Sequence, residues 1–134
     1  MADWKRREVR VPDVCEPISH YTDAVRFGNV LFLSGMVGVD AKGRVIGKGD
    51  VVAQARATFE NMKRILEAEG ASFADVLKVT VYLRNVEDRA RINPVRAEFF
   101  GDARPASTLV EVSKLVAPEL LIEVEAVAGI PGTE

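Results

Sequence analysis

The sequence of 134 residues predicts an α+β domain, a single β-sheet with two helices covering one of its faces. Three observations carry that reading. Short apolar stretches alternate with a period of two near both ends of the chain and in its middle, the pattern of strands. One segment, from Asp50, changes to a repeat of three and four, the pattern of an amphipathic helix, and a second, Asn85–Phe100, also reads as helical. The order of the patterns, β, β-hairpin, α, β, α, β, β, does not alternate regularly, which suits helices gathered on one face of one sheet.

The opening strand is Glu8-Val-Arg-Val, ended by Pro12 and therefore placed at a sheet edge. Asp13 to Thr22 has no periodicity and reads as a loop holding His20 and Tyr21. Ala24–Phe27 and Val30–Ser34 flank Gly28-Asn29, a pair that tolerates the positive φ of a two-residue hairpin turn. Ser34-Gly35 closes the second strand, with Met36–Val39 as an extension, and Asp40–Gly43 is a further turn.

From Asp50 the stripe Val52, Ala55, Phe59, Met62, Leu66 marks a helix, with Asp50 able to cap its start and Gly70 its end. Val76–Leu83 is a strand rich in β-branched residues. Asn85–Phe100 is helical but contains Pro94; proline suits a first helical position and costs about 3 kcal/mol in an interior. The helix is therefore expected to start at Pro94 with Asn93 as its N-cap. Two strands within Arg104–Ala128 follow, and Gly129–Glu134 is expected to be a loose tail.

This layout leaves one sheet face without a helix. Strands such as Val30-Leu-Phe-Leu are apolar on both sides, so the open face predicts an oligomer and sites between subunits. In the last strand Glu123 and Glu125 share a face opposite Ile122, Val124 and Ala126. Carboxylates placed so regularly in an apolar strand need water, a partner subunit or a role.

The length fits one domain, residues 1–134. A net charge of −2 gives no electrostatic footprint for nucleic acid, and no window has the length and apolarity of a membrane span. The lone Cys15 has no internal partner for a disulfide, and no apolar run follows the first residues, so the expected location is cytoplasmic. One His, one Cys and scattered carboxylates provide no usual zinc spacing, and the glycines lack the context of a phosphate loop. A Ser-His-acid triad is composable from Ser34 and His20, but no nucleophile-elbow pattern surrounds the serine. Asn93 is accounted for as a cap and Glu123 as a solvated strand residue, so local chemistry alone stops at a soluble α+β oligomer.

A set of landmarks in fixed order goes further. They are Tyr21 with Ala24, Gly28-Asn29 leading into Leu31-Phe-Leu-Ser-Gly35, Gln54-Ala55, Val79-Thr-Val-Tyr-Leu, Asn93 with Phe99-Phe100, Pro105-Ala-Ser-Thr-Leu-Val-Glu-Val112 and Ile122-Glu-Val-Glu-Ala126. In this order they resemble the RidA (YjgF) family over nearly the whole chain. The resemblance implies a chorismate-mutase-like fold, a single mixed sheet with two helices, assembled as a homotrimer with clefts between subunits. It also implies hydrolysis of reactive enamines or imines, such as 2-aminoacrylate, to 2-keto acids and ammonia, with no cofactor.

Position by position, the resemblance makes Glu123 the water-orienting catalytic residue and Tyr21, Ser34, Gly35 and Asn93 substrate-binding residues, with Ser107 and Thr108 also shaping the pocket. One position departs. Family deaminases read Pro-Ala-Arg-Ser, whereas here the text is Pro105-Ala106-Ser107-Thr108, so Ser107 stands in place of the arginine that forks onto the substrate carboxylate. A serine hydroxyl offers one neutral hydrogen bond where a guanidinium offers two charged ones, so 2-aminoacrylate is not the expected substrate. Arg104, Arg96 and His20, the last in place of a usual proline, are the candidates to compensate. Two readings follow: a trimeric RidA-like deaminase for a different small enamine or imine, or an inactive module that keeps the cleft to bind a metabolite or a partner protein. An RNA-acting role fits poorly with the acidic balance.

Overall fold

The computed structural model describes residues 3–132. It contains six strands, β1 (Arg6–Val9), β2 (Ala24–Phe27), β3 (Val30–Val37), β4 (Val76–Leu83), β5 (Ala106–Glu111) and β6 (Ile122–Gly129), and two α-helices, α1 (Val51–Ala68) and α2 (Arg89–Phe100). The strands form one sheet in the order β1-β2-β3-β6-β4-β5. All neighbours are antiparallel except β4 and β5, which run parallel and are joined through α2. A parallel pair needs such a crossover, and the sheet is mixed for that reason.

Local chemistry explains most boundaries. Gly28 adopts φ +63° between Phe27 and Val30, and no other residue type among those described has positive φ. The hairpin turn therefore uses glycine at its first central position only. The Asp50 carboxylate accepts hydrogen bonds from the amides of Val52 and Ala53 and starts α1. At the other end Gly70, φ +75°, lets the amides of Gly70 and Ala71 return to the carbonyls of Glu67 and Leu66. That is a Schellman stop.

Two expectations need correction. Helix α2 begins at Arg89, so Pro94 lies in its interior and Asn93 is an exposed helical residue with no capping role. The cap belongs to Asn85, whose side chain accepts from the Glu87 amide and starts a 3₁₀ turn, Val86–Asp88, that feeds the helix. Ile92 and Val95 are both buried, and that burial requires one helical register through Pro94. The hydrogen bond missing at Pro94 concerns the carbonyl of Ala90, on the exposed side, where solvent can reach it. The C-terminal tail also starts later than expected: β6 continues to Gly129, and the amide of buried Ile130 bonds the carbonyl of Asn29. The rest of that expected tail reaches residues 133–134, outside the described residues.

Both helices pack on one face. Val51, Ala55, Phe59, Met62, Ile65 and Leu66 of α1 and Ile92 and Val95 of α2 meet Leu31, Leu33, Val79, Val81, Ile122, Val124 and Ala126 of the sheet in a single core. Phe73 and Phe100 meet edge-on, with ring centroids 5.0 Å apart, and join the start of β4 to the end of α2. The opposite face carries no helix. There Phe32 is 51% exposed, Leu77 56% and Val110 39%, which is much apolar surface for a lone domain to present to water.

Candidate active site

The site begins with an irregularity in β3. Leu33 pairs with Ala126 and Met36 with Val124, so β3 spends one more residue than β6 across the same interval. Ser34 and Gly35 sit in this bulge, a device that re-aims side chains beside functional sites. The Ser34 amide bonds the Asp23 carbonyl at 2.9 Å, and its hydroxyl donates to the Thr22 carbonyl at 2.6 Å. Asp23 itself is 2% exposed; its carboxylate accepts from the Val11 amide and from Arg10 Nη1, both at 2.7 Å. The bulge is thus anchored to the loop that carries Tyr21.

Glu123 lies directly over this bulge. A Cβ built on Gly35 would stand 2.8 Å from the Glu123 Cδ and closer still to Oε2, so only glycine leaves room for that carboxylate. The half-buried carboxyl is pushed above its ordinary pKa, first by burial and then by the charge of Glu125. Glu125, on the same face, accepts a 2.6 Å hydrogen bond from the Tyr82 hydroxyl. Burial and a neighbouring like charge thus both act on one carboxylate, the kind of perturbation that marks candidate functional groups.

A cavity of about 480 Å³ opens above Glu123. Tyr21, Ser34, Gly35 and Glu123 line it, together with Val39, Asn61 and the apolar residues Val116 and Leu120. Two buried amide side chains of α1 fix its walls. Asn61 Nδ2 donates to the carbonyls of Val37 and Val39 at 3.0 Å each. Gln54 Nε2 donates to the Gly47 and Glu119 carbonyls, and its Oε1 accepts from the Leu121 amide at 2.8 Å. The latter bonds hold the segment Val116–Leu120 against the cleft.

The remaining expected residues are elsewhere. Ser107 and Thr108 lie on β5 at the sheet edge, and Asn93 is exposed on α2. Strand register places Glu123 opposite Tyr82, and Tyr82 opposite Val110, so Ser107 is two strands over and three residues along from Glu123. That is about 10 Å in each direction, and Ser107 faces the helix side of the sheet. Its hydroxyl accepts a 2.9 Å hydrogen bond from Arg96 Nη2 of α2, whereas Thr108, on the open face, accepts one of 2.6 Å from Lys78 Nζ. Exposed His20 does not line the cavity, although its neighbours Ser19 and Tyr21 do. Arg104, also exposed, precedes β5 in the loop. One chain therefore keeps these residues in two separate groups, one at the Glu123 cleft and one at the β5–α2 edge.

The family model described as Endoribonuclease L-PSP matches residues 12–130. The chain belongs to this family, the RidA (YjgF) family. A RutC family protein of Pyrococcus horikoshii is 49% identical over 113 residues, 84% of this chain and 89% of that protein. A 2-iminobutanoate/2-iminopropanoate deaminase of Dermatophagoides farinae is 35% identical over 93% of this chain and 97% of that protein. Among solved structures, Escherichia coli TdcF with bound serine superposes with a TM-score of 0.85 at 31% identity, covering 93% of this chain and 99% of that one. The sheet and its two helices are accordingly the chorismate-mutase-like fold of RidA proteins.

Within this RidA chain, sequence reasoning gave no site role to Asp23, Gln54 or Asn61. A readable signal existed for two of them: Gln54, Thr58 and Asn61 follow helical spacing along the buried side of α1, a polar ribbon inside an apolar stripe. Asp23 offers no such signal. Among the described residues no cluster of three or more His, Cys, Asp or Glu could hold a metal, and no helix is long and apolar enough to cross a membrane.

Proposed function

We propose that this protein is a deaminase of small enamines or imines, working in clefts closed by a second copy of the chain within a homotrimer. The observation that carries the reading is the Glu123 carboxylate, half-buried over Gly35 and influenced by burial and Glu125, with no ion pair to it among the described residues. Such a carboxylate can hold a water, and its raised pKa makes it a stronger base toward that water's proton than an ordinary glutamate.

In the reaction, water oxygen bonds to the imine carbon while Glu123 takes the water proton. The C=N electron pair moves to nitrogen, which takes that proton back from Glu123 to give the carbinolamine. Glu123 then removes the carbinolamine hydroxyl proton and passes it to the amine as the C–N bond breaks, leaving a carbonyl product and ammonia. An enamine enters after protonation at carbon. The scheme calls for no cofactor. Tyr21 and Ser34 shape the cleft wall, and the amide-anchored bulge presents backbone to the ligand.

A second copy is the occupant we assign to the open sheet face. The two groups are too far apart in one chain to share a small molecule, while Phe32, Leu77 and Val110 leave apolar surface to be covered. A head-to-tail ring of three would set the β5–α2 edge of each copy, with Asn93, Ser107 and Thr108, against the cleft of the next.

The alternative reading, a cleft that binds a metabolite or partner without turning it over, draws its support from Ser107 in place of the family arginine. Ribonuclease action, the sense of the family description, finds no support in a net charge of −2. The deciding experiment is ammonia release from imines generated in situ by an amino-acid oxidase. Wild type is expected to accelerate release and Glu123→Ala to abolish the acceleration; equal rates would sink the mechanism.

A further inference from the structure

Position 107 has lost its arginine, yet a guanidinium still stands there. Arg96 of α2 reaches across to β5 and donates from Nη2 to Ser107 Oγ at 2.9 Å. It lies three residues after Asn93, on the same helical face. Among the described residues no ion pair includes it, although seven others form. Burial alone pulls its pKa below the ordinary guanidinium value, with no acid offsetting the effect. A partly buried cation with no counter-ion costs stability, and an anion brought to it recovers that cost.

Resting on the reading of the cleft given above, we propose that Arg96 is the carboxylate-binding group of this site, with Ser107 as its hydroxyl prop, so that the substrates are small 2-imino acids. The exchange is chemically consistent. A guanidinium has five N–H donors and Ser107 takes one, which leaves a pair of parallel donors for a carboxylate. Serine is short enough to leave the guanidinium its space, whereas an arginine at 107 would place two cations in one position. On this proposal the reason for setting 2-aminoacrylate aside, the loss of the arginine at position 107, no longer applies: the cation stands on the helix instead of the strand.

The test measures calorimetric binding of 2-oxobutanoate, a small 2-keto acid, and of its uncharged amide to the full-length protein. Wild type is expected to prefer the acid at least tenfold. Arg96→Ala should weaken acid binding on the order of 10- to 100-fold and erase the preference. Arg96→Lys, which keeps charge but not the fork, should fall between them, and Ser107→Arg on the Arg96→Ala background should restore acid binding to within tenfold. Unchanged preference in Arg96→Ala, or a wild type that binds acid and amide alike, would overturn the proposal. Hydrolysis is read separately through Glu123→Ala. If that variant loses ammonia release while Arg96→Ala keeps its preference for acid, the deaminase reading stands and Arg96 does not. If Glu123→Ala remains fully active while Arg96→Ala loses the acid, Arg96 stands and the hydrolysis mechanism falls.

Discussion

Glu123 and Gly35 compete for one space: a methyl group on Gly35 would lie 2.8 Å from the Glu123 Cδ. The carboxylate can occupy the floor of the cleft only because β3 bulges there and carries no side chain at that point. Gly35→Ala should therefore push Glu123 aside. A displacement of about 1 Å in a reacting group costs on the order of 100-fold in rate, so kcat/KM for imine hydrolysis should fall by that factor. Gly35 has no positive φ to lose, and thermal melting should change by only a few degrees. A variant with wild-type kinetics would show that Glu123 need not sit where it does.

The raised pKa of Glu123 predicts two pH effects of definite sign. Glu123 is harder to ionise folded than unfolded, because of burial and then Glu125. The associated stability is present below the unfolded pKa and is lost as pH rises through the higher folded value. Melting of wild type relative to Glu123→Gln should thus worsen as pH rises from the ordinary carboxylate range, about pH 4, upward through the folded value. Activity runs the other way, since the base must be ionised: kcat/KM should rise with pH, with a midpoint above the usual glutamate range. Glu125→Gln removes a charge while still able to accept from Tyr82, and should lower that midpoint. An unmoved midpoint would separate Glu123 from the pH profile.

Features set by neighbours in sequence were legible in it, and those set by neighbours in space were not. The Gly28 hairpin, the Asp50 cap, the Gly70 stop and the alternation that isolates Glu123 all follow from residues a few positions apart. The start of α2 did not, because burial of Ile92 against the sheet outweighs a proline rule derived from one helix alone. The separation of Ser107 from Glu123 was equally hidden. Ser107 and Glu123 are only sixteen residues apart, and nothing local reveals that β6 enters between β3 and β4 while β5 takes the edge. The Arg96–Ser107 contact depends on the same placement, since α2 must lie beside β5 before either residue can meet the other.

Gln54 ties the helix to the cleft wall through three hydrogen bonds, to Gly47, Glu119 and Leu121, and is completely buried. Gln54→Ala leaves those backbone groups without partners and opens a small void. The cost should be about 3 kcal/mol, or about 10 °C in melting temperature for a domain of this size. Hydrogen exchange should accelerate first at the Leu121 amide and through Val116–Leu120, before the core strands. A loosened wall should raise KM more than it lowers kcat. Uniform acceleration over the whole chain would mean that Gln54 acts on global stability alone.

Mixing two inactive variants tests the shared cleft. In a head-to-tail trimer each site takes Glu123 from one copy and the β5–α2 edge from the next. Glu123→Ala and Arg96→Ala each spoil every site in their own trimers. After the two are unfolded, mixed in equal amounts and refolded, a site is intact wherever a copy retaining Glu123 meets a copy retaining Arg96. Random assembly makes that about one site in four. Activity on a 2-imino acid should rise from near zero to roughly a quarter of wild type, with mass spectrometry of the intact assemblies confirming exchange. A second control carries both substitutions in one chain and mixes it with wild type, where intact sites again arise only from wild-type neighbours, at about one in four. Hybrid trimers that form and stay inactive would place both halves of the site in a single chain and rule out the shared cleft.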